Sequence, residues 1–341
     1  MNPYSERRAR LIAQMQAMGG GVAVISTAHE AMRNSDTEYP YRHDSHFYYL
    51  SGFAEPEAVL VLIADEQPTS VLFCRDKDVE REIWDGFRHG PQGAKQAFGF
   101  DAAFSVAKLD EEMAEILSDA PALFYSTGRD AKLEAQVQAW LNAVRAKERS
   151  GVRAPAQFHD ILPLIDEMRL FKDEAELELM RRAAEISCGA HARAMRVSRP
   201  GMREYEIEAE LLHEFRRHGS PAPAYNSIVA AGANACVLHY PAGSAAAKDG
   251  ELILIDAGCE YGSYASDITR TYPVNGKFST AQKTLYEIVL AAQTAAIAAI
   301  SPGMRFVDPH NAALAVLVQG MFDTGLLDQS KYASVDTAIA S

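Results

Sequence analysis

The sequence lacks two features that mark membrane and exported proteins. No apolar run reaches the roughly 18 residues that a bilayer-spanning helix needs. The opening segment, MNPYSERRARLIAQM, has neither the apolar core nor the small-residue cleavage site of a signal peptide, and its pattern predicts an amphipathic helix. We therefore expect a cytoplasmic protein with no membrane partner.

Basic residues are in deficit. The chain has 33 Lys and Arg against 46 Asp and Glu, which gives a formal net charge of −13. A protein that binds a phosphate backbone needs a basic face, so this balance argues against a nucleic-acid partner. The remaining composition, 48% hydrophobic and 23% charged, is ordinary for a soluble globular protein.

Cysteine is scarce in this sequence. The four cysteines, Cys74, Cys188, Cys236 and Cys259, are scattered and form no Cys-x-x-Cys pair. Each has apolar or helical neighbours in sequence, which predicts reduced thiols in the core of a cytosolic protein. Cys259 lies close to Asp256, but a thiolate rarely ligates a hard metal, so we expect Cys259 to be structural.

A chain of 341 residues exceeds what one hydrophobic core normally supports, so we expect two domains, 1–170 and 171–341. The first mixes helical and strand patterns, and the charged segment 145–155, broken by Gly and Pro, predicts the start of the linker. Within this domain, helices are expected at 5–18, 79–84, 109–118 and 130–147, and strands at 22–25, 47–50, 57–64 and 70–74.

The second domain repeats its own opening. Pro-Gly-Met-Arg begins an amphipathic segment at 200–203 and again at 302–305, which indicates two related halves, although Pro-Gly also starts many unrelated helices. Helices are expected at 173–196, 203–218, 280–300 and 307–323, and strands at 226–231, 236–240, 251–257 and 264–272.

Two acidic residues stand where a fold alone does not require them. Asp256 ends the apolar run 252–255, and Asp267 follows eleven residues later in a second β-rich segment. Two strands joined this way can pair antiparallel and bring both carboxylates together, where they would share a proton, a cationic side chain or a metal ion. The alternative is that Asp256 caps a turn and Asp267 pairs with Arg270.

Four separated blocks of the sequence resemble one family. IDAGCEYGSYASDITRTYPVNGKF (255–278) strongly resembles the metal-binding segment of aminopeptidase P, the Xaa-Pro aminopeptidase of the pita-bread metallopeptidases. The other blocks are similar to the family's N-terminal domain (39–63), its domain junction (166–187) and its substrate-side strands (226–241). The resemblance implies an α/β N-terminal domain followed by an α+β pita-bread (creatinase/aminopeptidase-like) catalytic domain.

The resemblance also implies a chemistry. Members remove the N-terminal residue from peptides whose second residue is proline, through a hydroxide held by two metal ions, usually Mn²⁺. By this resemblance Asp256 ligates one ion and Asp267 bridges both. His239 would contact substrate and handle protons, unless it is a hydrogen-bonded core histidine. Tyr225 would line the site and hydrogen-bond a metal-bound carboxylate, unless it only packs on its strand.

Trp84 is one of only two tryptophans. In bacterial members of the family a tryptophan here lies toward a neighbouring subunit's active site. This implies a homo-oligomer, a dimer or a tetramer, with Trp84 as a contact, and a role in the core of the first domain is the alternative. Four other side chains have no ligand-like spacing and are expected to be solvated or core residues: His43, His46, His89 and His213.

The family pattern breaks near the end of the sequence. A dinuclear site of this family also needs a histidine and two glutamates, but no histidine follows His310 and no glutamate follows Glu287. We therefore expect a chain that lacks the C-terminal part of the catalytic domain, binds one ion weakly or none, and has doubtful activity. The alternatives are a prolidase-like dipeptidase and a non-catalytic chain that acts only in binding or oligomerisation.

Overall fold

The computed structural model describes residues 2–328, 330–332 and 334–339. The chain divides into two compact units, the first ending at Ala175 and the second beginning at Glu176. A six-stranded sheet lies in the first unit, and the acidic pair lies in the second. In the part of the chain that the structure describes, no helix is both long and apolar enough to cross a membrane.

The first unit is an α/β domain. Its helices are α1 (Pro3–Ala17), α2 (Ser45–Ser51), α3 (Val79–Asp85), α4 (Gly90–Phe98), α5 (Leu109–Ile116), α6 (Ala131–Arg145) and α7 (Leu162–Leu170). Its strands are β1 (Gly21–Ser26), β2 (Met32–Asn34), β3 (Thr37–Glu38), β4 (Val59–Ala64), β5 (Thr69–Cys74), β6 (Ala102–Ser105), β7 (Ala122–Tyr125) and β8 (Gln157–Asp160). The sheet order is β6-β5-β4-β1-β7-β8, and β1 pairs antiparallel with β4 and parallel with β7.

The two faces of this sheet carry separate cores, because successive strand residues point to opposite sides. Ala23 and Ile25 of β1 belong to a buried cluster with side chains of α1, α2, α4 and α7. Val22 and Val24 belong to a second cluster with side chains of α5 and α6. Both faces are therefore covered by helices, which explains the apolar runs of β1 and β4.

Two predictions for this unit are wrong. Residues 47–50 form part of helix α2 and not a strand, because the Asp44 carboxylate accepts hydrogen bonds from the backbone N–H groups of His46 and Phe47, each at 2.8 Å. The linker does not start at 145–155. The chain continues from it into β8, which pairs with β7 at the edge of the same sheet.

The second unit combines long helices with two small sheets. Its helices are α8 (Glu174–Val197), of which the first two residues fall in the first unit, α9 (Glu204–Arg217), α10 (Thr280–Ala298), α11 (Val307–Asp323) and α12 (Val335–Ile339). Its strands are β9 (Ala222–Pro223), β10 (Ile228–Ala231), β11 (Leu252–Asp256), β12 (Cys259–Tyr261), β13 (Tyr264–Ala265) and β14 (Thr269–Pro273). The strand orders are β10-β11-β14 and β13-β12-β9, and apolar residues of α8, α9, β10 and β11 share one core.

The predicted strand at 236–240 is wrong. Residues Gly232–Cys236 form a 3₁₀ turn, and the following residues are exposed, with Leu238 88% accessible. Val237 and Leu238 are apolar, which favours a buried strand, but both side chains are exposed in the structure.

The Pro-Gly-Met-Arg repeat agrees with the helix pairs. Gly201 has φ +90° before α9, and Gly303 has φ +88° before α11, so both motifs turn through the same left-handed glycine conformation. In each case one long helix precedes the turn and another follows it, α8 with α9 and α10 with α11.

Candidate metal centre

An antiparallel strand pair carries the acidic residues. Asp256 is the last residue of β11 and lies opposite Thr269, the first residue of β14. Asp267 precedes β14 by two residues, in the connection from β13. The apolar residues of β11 hold this pair in place, because Ile253 and Ile255 are fully buried.

Tyr225 brings the two carboxylates together. Its hydroxyl lies 2.6 Å from Oδ1 of Asp256 and 3.0 Å from Oδ1 of Asp267, and it donates its proton toward them. Burial and the hydrogen bond to Asp256 raise the pKa of Tyr225, so the phenol keeps its proton. The alternative pairing is not observed among the described residues: Arg270 donates to the Thr269 carbonyl at 2.8 Å and forms no ion pair with Asp267.

The chain approaches itself closely beside the pair. A Cβ at Gly258 would stand 1.7 Å from the Ser266 carbonyl oxygen. Gly258 follows Asp256 by two residues, and Ser266 directly precedes Asp267. The absence of a side chain at Gly258 therefore permits the approach that brings the two acidic segments together.

Helix α8 fixes both acidic segments from one face. His191 donates from Nε2 to the Ala257 carbonyl at 2.9 Å, and burial lowers the pKa of this histidine, which favours the neutral ring. One turn earlier, the Ser187 hydroxyl lies 2.8 Å from that of Ser266 and accepts from the Cys259 N–H at 3.0 Å. Sequence reasoning missed both residues. The available signal was a polar pair spaced four apart on an otherwise apolar helix face.

Known proteins resemble both units of this chain. The aminopeptidase P N-terminal domain family matches residues 4–125, and metallopeptidase family M24 matches residues 178–334. The Xaa-Pro aminopeptidase of Escherichia coli K12 is 43% identical over 326 residues, which cover 95% of this chain and 74% of the relative. The chain belongs to metallopeptidase family M24. The Xaa-Pro aminopeptidase of Haemophilus influenzae is 39% identical and covers 98% of this chain and 74% of its own length.

Solved structures agree with this family. Aminopeptidase PepP of Pseudomonas aeruginosa matches with a TM-score of 0.95 and 46% identity, over 99% of this chain and 75% of that one. A zinc-substituted aminopeptidase P of E. coli, in complex with product, matches with a TM-score of 0.94 and 41% identity, over 99% of this chain and 76% of that one. The predicted fold class, an α/β N-terminal domain followed by a pita-bread domain, is confirmed.

M24 membership makes this chain a member of a metal-dependent hydrolase family. Neither the dipeptidase alternative nor the purely non-catalytic alternative is better supported by these relatives. The donor set fits a hard divalent cation in part, because Asp256 and Asp267 offer carboxylate oxygens within reach of one hydroxyl. Among the residues that the structure describes, no group of three or more His, Cys, Asp and Glu could hold a metal ion.

The structure places His239 apart from the core. It lies in the exposed segment after the 3₁₀ turn, so the alternative of a hydrogen-bonded core histidine is wrong. No hydrogen bond of the described residues joins His239 to Asp256 or Asp267. Its role toward substrate stays a prediction.

Trp84 is also exposed. Its side chain on α3 is 83% accessible, so the alternative of a domain-core tryptophan is wrong. The other tryptophan, Trp140, is buried in the core of the first unit.

The expectation of four core thiols is wrong for two of them. Cys74 and Cys259 are buried, whereas Cys188 and Cys236 are exposed, because sequence neighbours do not determine which side of a helix or turn faces solvent.

Proposed function

We propose that this M24 chain binds a divalent ion and removes the N-terminal residue from peptides whose second residue is proline. The sequence pattern predicts weak metal binding and doubtful activity, but the relatives are named Xaa-Pro aminopeptidases. The observation that carries the proposal is the pair of carboxylates, Asp256 and Asp267, held at one hydroxyl in a chain whose relatives are named Xaa-Pro aminopeptidases. Proline in second position makes the scissile amide tertiary and conformationally restricted, so its hydrolysis calls for a dedicated site.

In this proposal Asp256 and Asp267 ligate the divalent metal, and Tyr225 holds their carboxylates in place. Oxygen donors of this kind suit Mn²⁺, which is the ion we propose. A bound divalent ion supplies Lewis acidity at the scissile carbonyl and lowers the pKa of water. His191 and Ser187 are side chains of α8, and their hydrogen bonds to Ala257 and Ser266 hold the two acidic segments against this helix.

His239 is the proposed proton-handling residue on the substrate side. Its imidazole is exposed, and it can therefore meet a bound peptide. An imidazole can accept or donate a proton at neutral pH, as the departure of a prolyl amine requires. Since no hydrogen bond in the described part of the chain joins His239 to Asp256 or Asp267, we propose no metal-ligating role for it.

Three further features complete the proposal. We propose domains 1–170 and 171–341, which the compact units on either side of Ala175 support. We propose a homo-oligomer with Trp84 in its contact, which the exposure of this large aromatic side chain supports. A cytoplasmic location is proposed because all four cysteines are free thiols, as expected in a reducing compartment.

The experiment is a comparison of peptide hydrolysis and metal content in His239→Ala and in His213→Ala, an exposed histidine on α9 that serves as the control. We expect His239→Ala to lower kcat on an Xaa-Pro tripeptide at least about 100-fold while bound metal stays near the wild-type level. His213→Ala should match the wild type. Equal losses of metal and activity in His239→Ala would mean that His239 is a ligand, and the assignment would be wrong.

A further inference from the structure

A buried carboxylate lies at the first residue of α9. Glu204 is 1% exposed and accepts four hydrogen bonds. Its Oε1 accepts from the Ala231 N–H at 2.8 Å and from Nδ2 of Asn234 at 2.9 Å. Its Oε2 accepts from the Tyr240 hydroxyl at 2.9 Å and from the Gly243 N–H at 3.1 Å.

The four contacts match the hydrogen-bonding capacity of a carboxylate. An ionised carboxylate has about four acceptor sites, and all four partners of Glu204 are donors. The position at the start of α9 adds the favourable field of a helix N-terminus. Among the described residues no Lys, Arg or His forms an ion pair with Glu204, so neutral donors alone balance its burial.

The four donors enclose one stretch of chain, residues 232–242, which we call the His239 loop. Oε1 holds Ala231 and Asn234 at its start, and Oε2 holds Tyr240 and Gly243 at its end. The backbone beyond the loop is tied to the same helix, since the Glu204 N–H donates to the Ala245 carbonyl at 3.0 Å. Between these attachments the loop extends into solvent.

Space around the carboxylate is limited. A Cβ at Gly243 would stand 2.9 Å from the Tyr240 hydroxyl oxygen and 3.2 Å from Oε2 of Glu204. The hydroxyl oxygen of Tyr240 also accepts a hydrogen bond from Nδ2 of Asn234 at 2.9 Å, so the two ends of the loop are joined directly. Tyr240 directly follows His239, and its anchored ring restricts the backbone that carries the imidazole.

We propose that Glu204 is a positioning residue for His239. Its carboxylate fixes both ends of the His239 loop and so determines where the imidazole meets the substrate. This inference rests on the proposed role of His239. A reacting group displaced by about 1 Å can cost about 100-fold in rate, so a remote anchor of this kind has a measurable effect on turnover.

The test uses Tyr240→Phe and Glu204→Gln in the protein assayed on an Xaa-Pro tripeptide. Tyr240→Phe removes one hydrogen bond at Oε2, and Tyr205→Phe, an exposed neighbour of Glu204, is the matched control. We expect kcat to fall about 5-fold in Tyr240→Phe and about 50-fold in Glu204→Gln, with KM and metal content within about twofold of wild type. Tyr205→Phe should retain full kcat.

A double-mutant cycle separates positioning from stability. If Glu204 and Tyr240 act through His239, Tyr240→Phe should lower kcat by less than about twofold in a His239→Ala background. The same 5-fold loss in that background would overturn the positioning role and leave the function of His239 intact. Unchanged kcat in His239→Ala alone would overturn both. Because Glu204→Gln can fail to fold, the Tyr240→Phe cycle is the deciding measurement.

Discussion

At the candidate metal centre, the hydroxyl group of Tyr225 is shared between two carboxylates. The Tyr225 hydroxyl lies within hydrogen-bond distance of Asp256 and of Asp267, although it has one proton to give. Two carboxylates near each other repel, and a shared donor or a bound cation reduces that repulsion. The residue that holds the pair together therefore also sets how well the pair receives a metal ion.

Replacing Tyr225 by Phe tests this coupling. The change removes both hydrogen bonds while keeping the ring, so we expect the affinity for Mn²⁺ to fall about 10-fold. Isothermal titration measures it, and Tyr205→Phe, whose ring is exposed on α9, is the control. Equal Mn²⁺ affinity in wild type and Tyr225→Phe would show that the hydroxyl does not organise the carboxylates.

The four thiols are expected to differ in reactivity. Burial raises the pKa of Cys74 to about 12, so its thiolate is scarce at neutral pH, and Cys259 is also buried. Cys188 and Cys236 are exposed. A thiol reagent such as dithiobis-nitrobenzoate should modify these two in the native protein and all four after unfolding. Rapid modification of Cys74 in the native protein would contradict this expectation.

Among the elements, long periodic segments were predictable and short ones were not. Helices α9, α10 and α11 lie within about two residues of their expected ranges, because an amphipathic pattern repeats over many turns. The strand predicted at 47–50 is wrong because its aromatic residues, which favour strands, lie on a short helix capped by Asp44. At 236–240, the two apolar residues Val237 and Leu238 are too few to distinguish an exposed loop from a buried strand by sequence.

The candidate centre was predictable where contacts are local in sequence. Asp256 and Asp267 lie in one hairpin-like stretch, so their juxtaposition follows from strand pairing. Glu204, Ser187 and His191 reach across long sequence separations, and no pattern in one sequence specifies such partners. The structure therefore identifies long-range polar contacts that could not be predicted from the sequence.

The close approach at Gly258 makes a prediction for the strand pair. Gly258→Ala would place Cβ 1.7 Å from the Ser266 carbonyl, which forces the two segments apart. We expect a loss of about 2 kcal/mol or more in the free energy of unfolding. Urea denaturation measures it.

Gly189→Ala is the matched control for that measurement. Gly189 lies in helix α8, and its added Cβ would meet no atom closer than 3.8 Å. Alanine favours a helix over glycine by about 1 kcal/mol, so this variant should be equal to wild type or more stable. If Gly258→Ala were as stable as Gly189→Ala, the close approach would not be a constraint on the fold.

For the molecule as a whole, helix α10 and the turn between α10 and α11 present exposed apolar side chains. Val289, Ile297 and Ile300 in and after α10, and Phe306 before α11, are all exposed. Contiguous apolar surface promotes association, at roughly 25 cal/mol per Å² buried. We expect the 341-residue chain to self-associate in sedimentation velocity runs, and the double variant Val289→Glu/Ile297→Glu to do so less. A monodisperse monomer of the wild-type chain across micromolar concentrations would argue against this.

The central claim is that Asp256 and Asp267 bind the catalytic divalent ion. The family, the fold and the proximity of the two carboxylates all support it. The most direct measurement is isothermal titration of Mn²⁺ into the wild type, Asp256→Asn and Asp267→Asn, with Asp36→Asn, an exposed hairpin residue, as the control. Each site variant should bind at least about 10-fold more weakly than wild type, and Asp36→Asn should bind equally well. Wild-type Mn²⁺ affinity in either site variant would contradict the assignment.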